Sequence, residues 1–181
     1  MDFVRVGDKL ISLGRVRRAI DRLLELRVQG LSQAEAGQVV GVDRTFVSRL
    51  ESLGEVGKGA RLALIAFPVG NRAELEELAR REGVEYVFLL TNEERWSYFG
   101  ERSGVEIANQ LIDLVSRMKE FDAVIFAGSD MRIRLAEAIL GPKLVAIELG
   151  TSPIEHDCLL EPERLRTLIH QLSTGKRRRK A

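Results

Sequence analysis

Cysteine is nearly absent from this 181-residue chain: the single Cys158 has no partner for an internal disulfide, and no second thiol stands at a zinc-site spacing. Histidine is almost as scarce, with only His156 and His170. The run Glu155-His156-Asp157-Cys158 offers acid, base, nucleophile and metal ligand in consecutive positions. Adjacent side chains rarely converge on one atom, and no second ligand set accompanies them, so the run reads as a loop of solvated polar residues. Long apolar stretches are missing too. None approaches the roughly 20 residues a membrane helix needs, and the start MDFVRVGDKL lacks the basic-then-apolar order of a signal peptide. A cytoplasmic location with no membrane contact is the expectation. No GxxxxGKS or GxxxxGKT occurs, and Gly54, Gly57 and Gly59 precede an apolar run instead of linking a strand to a helix, which leaves nucleotide binding without a motif. No cofactor and no metal are expected.

What is present is an ordinary folding composition, 45% hydrophobic and 30% charged, at a length that suits two small domains better than one. The net charge of +1 conceals an uneven distribution. Residues 1–60 carry +2, residues 61–175 carry −6, and KRRRK at 176–180 carries +5. A middle section of that sign repels nucleic acid, so contact with phosphate is expected in the amino-terminal section or the tail. The tail admits two readings, a solvated run of cations or a weak nonspecific anchor.

Residues 31–51, LSQAEAGQVVGVDRTFVSRLE, read as two short helices around a tight turn. Ser32 and Glu35 form a capping box for the first helix, in which Ala36 and Val40 share a face. Gly41 supplies the left-handed position of a sharp turn, Val42 tucks the connection inward, and Asp43 caps a second helix reaching about Leu53. Its inner face is Val47 and Leu50, flanked by Phe46 and Leu53, which leaves Arg44, Thr45, Ser48 and Arg49 outward. Two guanidiniums and two hydroxyls on a helix braced from behind are the donors that reading base edges in the major groove requires. The alternative is a plain helical hairpin with a polar outer face. Ahead of it, a helix from about Ser12 to Gln29 presents Val16, Ala19, Ile20, Leu23, Leu24 and Leu26 as a broad apolar stripe. Arg15, Arg17, Arg18 and Arg22 on that helix are candidate phosphate contacts.

The opening LSQAE and the ending SRLE make this segment, about an eighth of the chain, resemble the phage-repressor type of helix-turn-helix, the XRE-like or lambda-repressor-like family. The resemblance implies an all-helical DNA-binding head, a second helix lying in the major groove of double-stranded DNA, and a homodimer on a palindromic operator. Position by position, Gln33 resembles the family's backbone-clamping glutamine, and Arg44, Thr45, Ser48 and Arg49 resemble its base-edge readers. Two departures stand out. Gly37 replaces the family's usual alanine, which allows close helix approach but costs about 1 kcal/mol of helix propensity. ESLGEVGKGARL also turns glycine-rich at once, leaving little room for the family's later helices and implying an abbreviated head.

From Arg61 the period changes. RLALIAF (61–67), EYVFLL (85–90), DAVIFAG (122–128) and KLVAIELG (143–150) are continuous apolar runs, as strands buried on both faces are. Helices are expected between and after them, from Asn71 to Glu82, about Ser103 to Glu120, Asp130 to Leu140 and Glu161 to Leu172. The alternation predicts a small parallel sheet wrapped by helices, Rossmann-like or flavodoxin-like. The fold class is therefore multi-domain: a helix-turn-helix head at 1–57, an α/β regulatory or dimerisation domain at 61–173, and a basic tail at 174–181. Gly54 to Gly59 reads as the hinge, and FVRV near the start has the composition of one more strand.

Ligands of such sheets bind where strand carboxyl ends meet helix amino termini. Asn71, Thr91, Asn92, Ser129, Asp130 and Thr151 occupy those ends. Asn71, Ser129 and Asp130 fit helix caps, and the whole set fits a pocket for a small-molecule effector. The leading expectation is a dimeric, sequence-specific transcriptional regulator that is not an enzyme. The alternatives are an α/β enzyme with a helical docking head, and a nonspecific chromosome-organising or partition type of DNA binder.

Overall fold

The computed structural model describes residues 2–100 and 102–173, so the basic tail lies outside the described residues. The chain divides into two compact units, Met1–Glu55 and Val56–Ala181, the head and the body.

The head is not all-helical. It opens with an antiparallel hairpin of β1 (Phe3–Val6) and β2 (Lys9–Ser12), joined through Gly7 at φ 58° and Asp8. A two-residue loop beginning with glycine is a hairpin signal, and it pairs FVRV with KLIS instead of adding it to the body's sheet. The Ser12 hydroxyl ends the hairpin by capping α1 (Leu13–Val28), accepting from the Arg15 amide at 3.3 Å. Two helices follow, α2 (Gln33–Val40) and α3 (Arg44–Gly54). Ser32 and Glu35 form the full capping box of α2, Gly41 turns the chain at φ 84°, and Asp43 caps α3 by accepting from the Phe46 amide at 2.7 Å.

The head's core is small. Leu23 and Leu26 of α1, Ala36 of α2 and Val47 of α3 are its buried apolar side chains among the described residues. The broad stripe expected on α1 narrows accordingly: Val16, Ala19 and Leu24 are exposed. On α3, Leu50 is half-buried, while Phe46 and Leu53 stand 45% and 87% exposed. The head ends at Glu55, so it holds no further helix to cover that side of α3.

The body runs β3 (Leu62–Ala66), α4 (Arg72–Arg81), β4 (Tyr86–Leu89), α5 (Asn92–Gly100), α6 (Gly104–Met118), β5 (Ala123–Ser129), α7 (Asp130–Leu140), β6 (Leu144–Gly150) and α8 (Pro162–Ser173). Its four strands are parallel in the order β4-β3-β5-β6. The chain therefore steps one way from β3 to β4 and the other way from β4 to β5 and β6. Right-handed crossovers made in opposite directions place their helices on opposite faces. Accordingly, Leu62, Leu64 and Ala66 pack with Leu75 and Leu78 of α4 and with Leu165 and Ile169 of α8. Ala63 and Ile65 pack on the other face with Met118 of α6 and Ile133 of α7.

Only the inner strands β3 and β5 are buried throughout. Edge strand β6 exposes Ala146 and Glu148, and β4 is half-buried along most of its length, so the expectation of four doubly covered strands holds for two. The residues expected to form a free hinge are partly laid down on the body. Gly59 donates its amide to Leu172 O at 3.2 Å, and Ala60 and Arg61 donate theirs to Asp122 Oδ2 at 2.8 and 3.0 Å. A Cβ on Gly59 would lie 2.3 Å from that carboxylate oxygen, so glycine is there for close approach and not for flexibility.

Candidate functional site

Two surfaces carry the residues singled out from the sequence, one on each unit. On the head, Arg44, Thr45, Ser48 and Arg49 are all exposed along α3. Neither arginine forms an ion pair with a described carboxylate, and the same is true of Arg15, Arg17 and Arg18 on α1, whereas Arg22 pairs with Glu25 at 3.3 Å. Ser52 continues the exposed row but turns its hydroxyl back to Ser48 O at 3.0 Å.

The back of α3 is locked in two ways. Gly37 lets α2 come so close that an added Cβ would lie 2.6 Å from Val42 O and 3.3 Å from a methyl of Val47. Glu51 then joins all three helices: one oxygen accepts from Arg27 Nε at 2.5 Å and the other from Gln33 Nε2 at 2.8 Å. These hydrogen bonds, Arg27's first, hold the Glu51 carboxyl below its ordinary range. Gln33, expected at the DNA backbone, is thus anchored within the helix junction by its amide nitrogen. These contacts set the placement of α2 against α3 and leave the outward row exposed.

On the body, the carboxyl ends of the strands form one stitched edge. Asn71 begins α4 without capping it, because its amide pairs with the Leu160 backbone in both directions, donating to O at 2.9 Å and accepting from N at 3.3 Å. Thr91 and Glu94 close a reciprocal capping box on α5, the helix that was not expected; the Thr91-x-x-Glu94 spacing was its signal. Asn92 receives Arg95 on its Oδ1 at 2.7 Å, donates its side-chain amide to Glu155 O at 2.9 Å, and donates its backbone amide to Asp157 Oδ1 at 2.6 Å. Asp130 accepts from the Ser152 amide at 2.8 Å, a bond that heads the causes holding its carboxyl low. Ser129 is fully buried and makes no cap bond, and Thr151 is exposed. Of the six expected ligand groups, Asn71, Asn92 and Asp130 are therefore occupied in joining loops, and Thr91 in capping α5.

In the run at 155–158, Glu155, His156 and Asp157 are exposed, as a solvated loop requires, while the Glu155 carbonyl and the Asp157 carboxylate join the same stitching through Asn92. Cys158 is half-buried, bridges to Val69 beside β3, and has its thiol pushed up by burial and by Asp157. Among the described residues, no group of three or more His, Cys, Asp or Glu could hold a metal ion, and no helix is long and apolar enough to cross a membrane.

Two arginines on this edge escaped notice in the sequence. Arg95, on α5, is only 5% exposed; its Nη2 donates to Asn92 Oδ1 and to Ile154 O at 3.0 Å. Arg132, on α7, lies over the Phe67 ring with 5.5 Å to the centroid and reaches Ser129 Oγ at 3.5 Å. Beside Arg132, Phe67, Tyr86, Phe88, Tyr98 and Leu114 line a cavity of about 580 Å³ beneath α6, and Gln110 of the same lining has a buried Oε1 with no hydrogen-bond partner among the described residues. No protein-family model, no curated protein and no solved structure matches this chain.

Proposed function

We propose that the chain is a sequence-specific, DNA-binding transcriptional regulator of the phage-repressor helix-turn-helix type, working as a homodimer, with an α/β body that senses a small-molecule effector or dimerises. In this reading α2 and α3 are the helix-turn-helix and α3 enters the major groove. Arg44, Thr45, Ser48 and Arg49 face base edges there, while Gln33 steadies the DNA backbone with the amide hydrogen not given to Glu51. The observation that carries it is the contrast between the two sides of α3: a front of exposed donors in which neither guanidinium pairs with a described carboxylate, and a back held by Gly37, Val47 and Glu51. Guanidiniums so placed are available for bidentate contact with guanine without first breaking a salt bridge to those carboxylates.

The test is selection of bound sequences from a random pool of double-stranded DNA at physiological salt, run with the full-length protein and with its Arg44→Ala, Arg49→Ala double variant. A palindrome with half-sites about one helical turn apart, roughly 34 Å, is expected with the parent and lost with the variant. Enrichment that survives in the variant would reassign the reading face. Binding with no enriched motif and a steep salt dependence would instead make the chain a nonspecific DNA binder.

A further inference from the structure

We infer that the body carries a binding site for the carboxylate or phosphate of a small organic molecule, held between Arg95 and Arg132 at the carboxyl edge of the sheet, with the molecule's apolar part against Phe67. This rests on the effector-sensing half of the reading above and not on DNA binding.

The location comes from topology. The chain reverses direction between β3 and β5, and the crevice outside the carboxyl ends of such a strand pair is where open α/β sheets take their ligands. Phe67 follows β3 and Ser129 ends β5, so Arg132, lying on the one and reaching the other, stands at that crevice.

The charge comes from the side chains. Arg95 is buried and Arg132 half-buried, yet neither forms an ion pair with a described carboxylate. Arg95 spends only Nη2 on protein acceptors, which leaves Nε and Nη1 without one among the described residues. Arg95 donates to Ile154 O, and Asp130, two residues before Arg132, accepts from the Ser152 amide of the same turn, so one loop brings both arginines to this edge. Burial first and the Arg132 charge second depress the Arg95 pKa, while Asp157 opposes the shift. The nearest acids do not bond Arg95: Asp157 accepts from the Asn92 amide, and Asp130 from the Ser152 amide and Arg134. A buried cation with unused donors beside a second cation is costly unless an anion completes it. Arginine's planar fork suits carboxylate and phosphate oxygens equally.

The rest of the ligand is sketched by the cavity. Its lining shares the Phe67 ring with Arg132 and adds the rings of Tyr86, Phe88 and Tyr98, while its carboxylates, Asp113 and Glu120, lie on and just after α6. A ring-bearing or aliphatic acid whose anionic end stays at the arginines fits this chemistry.

The experiment is calorimetric titration of the full-length protein with phenyl phosphate, benzoate, inorganic phosphate and uncharged phenol, repeated on Arg132→Gln and Arg95→Lys, with circular dichroism verifying that each variant is folded. Arg132 is half-buried at the head of α7, so Arg132→Gln keeps the test open if the Arg95 variant does not fold. Saturable binding of phenyl phosphate or benzoate at millimolar concentration is expected, the stronger of the two identifying the anion. Phenol should not bind, and affinity should fall roughly tenfold or more in Arg132→Gln. The proposal is overturned if neither organic anion binds at millimolar concentration, or if Arg132→Gln binds both as the parent does. Its failure would leave the DNA selection untouched, and an unsuccessful selection would leave anion binding to be measured on its own.

Discussion

The head and the body are held together by different physics. The body buries both faces of its inner strands, with alternate residues of β3 feeding two separate apolar clusters. Among the described residues the head buries four apolar side chains, Leu23, Leu26, Ala36 and Val47, and it relies on hydrogen-bonded latches: the Ser32–Glu35 box, the Asp43 cap and the Glu51 junction. Apolar burial is indifferent to salt and pH over ordinary ranges, whereas charged latches in water-accessible positions are weak and screened. A unit built in the second way is expected to open first.

Breaking each unit at its own strongest point tests the contrast. Leu64→Ala removes a side chain with no exposed surface at the centre of β3 and should destabilise the body by about 2–5 kcal/mol, the largest effect anticipated. Trp96, the single tryptophan, is 64% exposed on α5 but has the buried Arg95 guanidinium 5.2 Å from its ring centroid, a contact that unfolding breaks, so its fluorescence in urea reports that transition. Gly37→Ala in the head sets two effects against each other. Alanine gains about 1 kcal/mol of helix propensity, but its Cβ would lie 2.6 Å from a backbone oxygen that cannot rotate away. Overpacking against backbone wins, so the head should lose roughly 1–3 kcal/mol. Helix loss by circular dichroism should then precede the Trp96 signal by a wider margin than in the parent. A gain in stability would mean that α2 and α3 can part without cost.

The same contrast explains what could be read in advance. Each body strand was expected within a residue or two, because a run such as RLALIAF has a period that only burial on both faces explains. β6 was over-read: the Glu in KLVAIELG already breaks the apolar run, and Glu148 is exposed on the sheet edge. Local devices were also legible, since the Ser32 box, Gly41 and Asp43 each act within a few residues of themselves. Long-range partners were not. Nothing near Asn71 points to Leu160, 89 residues on, and nothing near Arg95 shows that a charged residue in NEERWSYFG is buried. The hairpin was half seen, as FVRV, because its partner KLIS is short, polar at both ends and runs straight into α1, whose cap is Ser12.

Function sharpens the comparison further, since the outward row of α3 takes no part in the head's core. Arg44→Ala and Arg49→Ala should each weaken binding to the selected site by about 1–3 kcal/mol and relax one base position. Neither arginine pairs with a described carboxylate, so both variants should unfold in urea as the parent does. Mobility-shift titrations against the selected site and single-base variants of it measure the first effect. A matching loss of head stability would turn both arginines into structural residues and undo the separation between front and back.

The smallest effect expected concerns pH. In the folded head, Glu35 is held below the ordinary carboxylate range by Ser32, first through its side chain and then its amide, and Glu51 by Arg27 and then Gln33. A carboxyl with a depressed folded pKa contributes stability that is fully present above the unfolded value, about 4.3, and lost as pH falls through the folded value. The body holds Asp122 and Asp130 low as well, by backbone amides, but has its two apolar clusters to fall back on. Acid titration should therefore remove head helicity at a pH where the Trp96 signal is still native. Glu51→Gln keeps a hydrogen-bond acceptor and removes the titrating group, so it should lower head stability modestly at neutral pH and flatten its acid dependence. An acid midpoint for the head identical in parent and variant would show that the three-helix junction is held by packing around Val47 and not by the charge of Glu51.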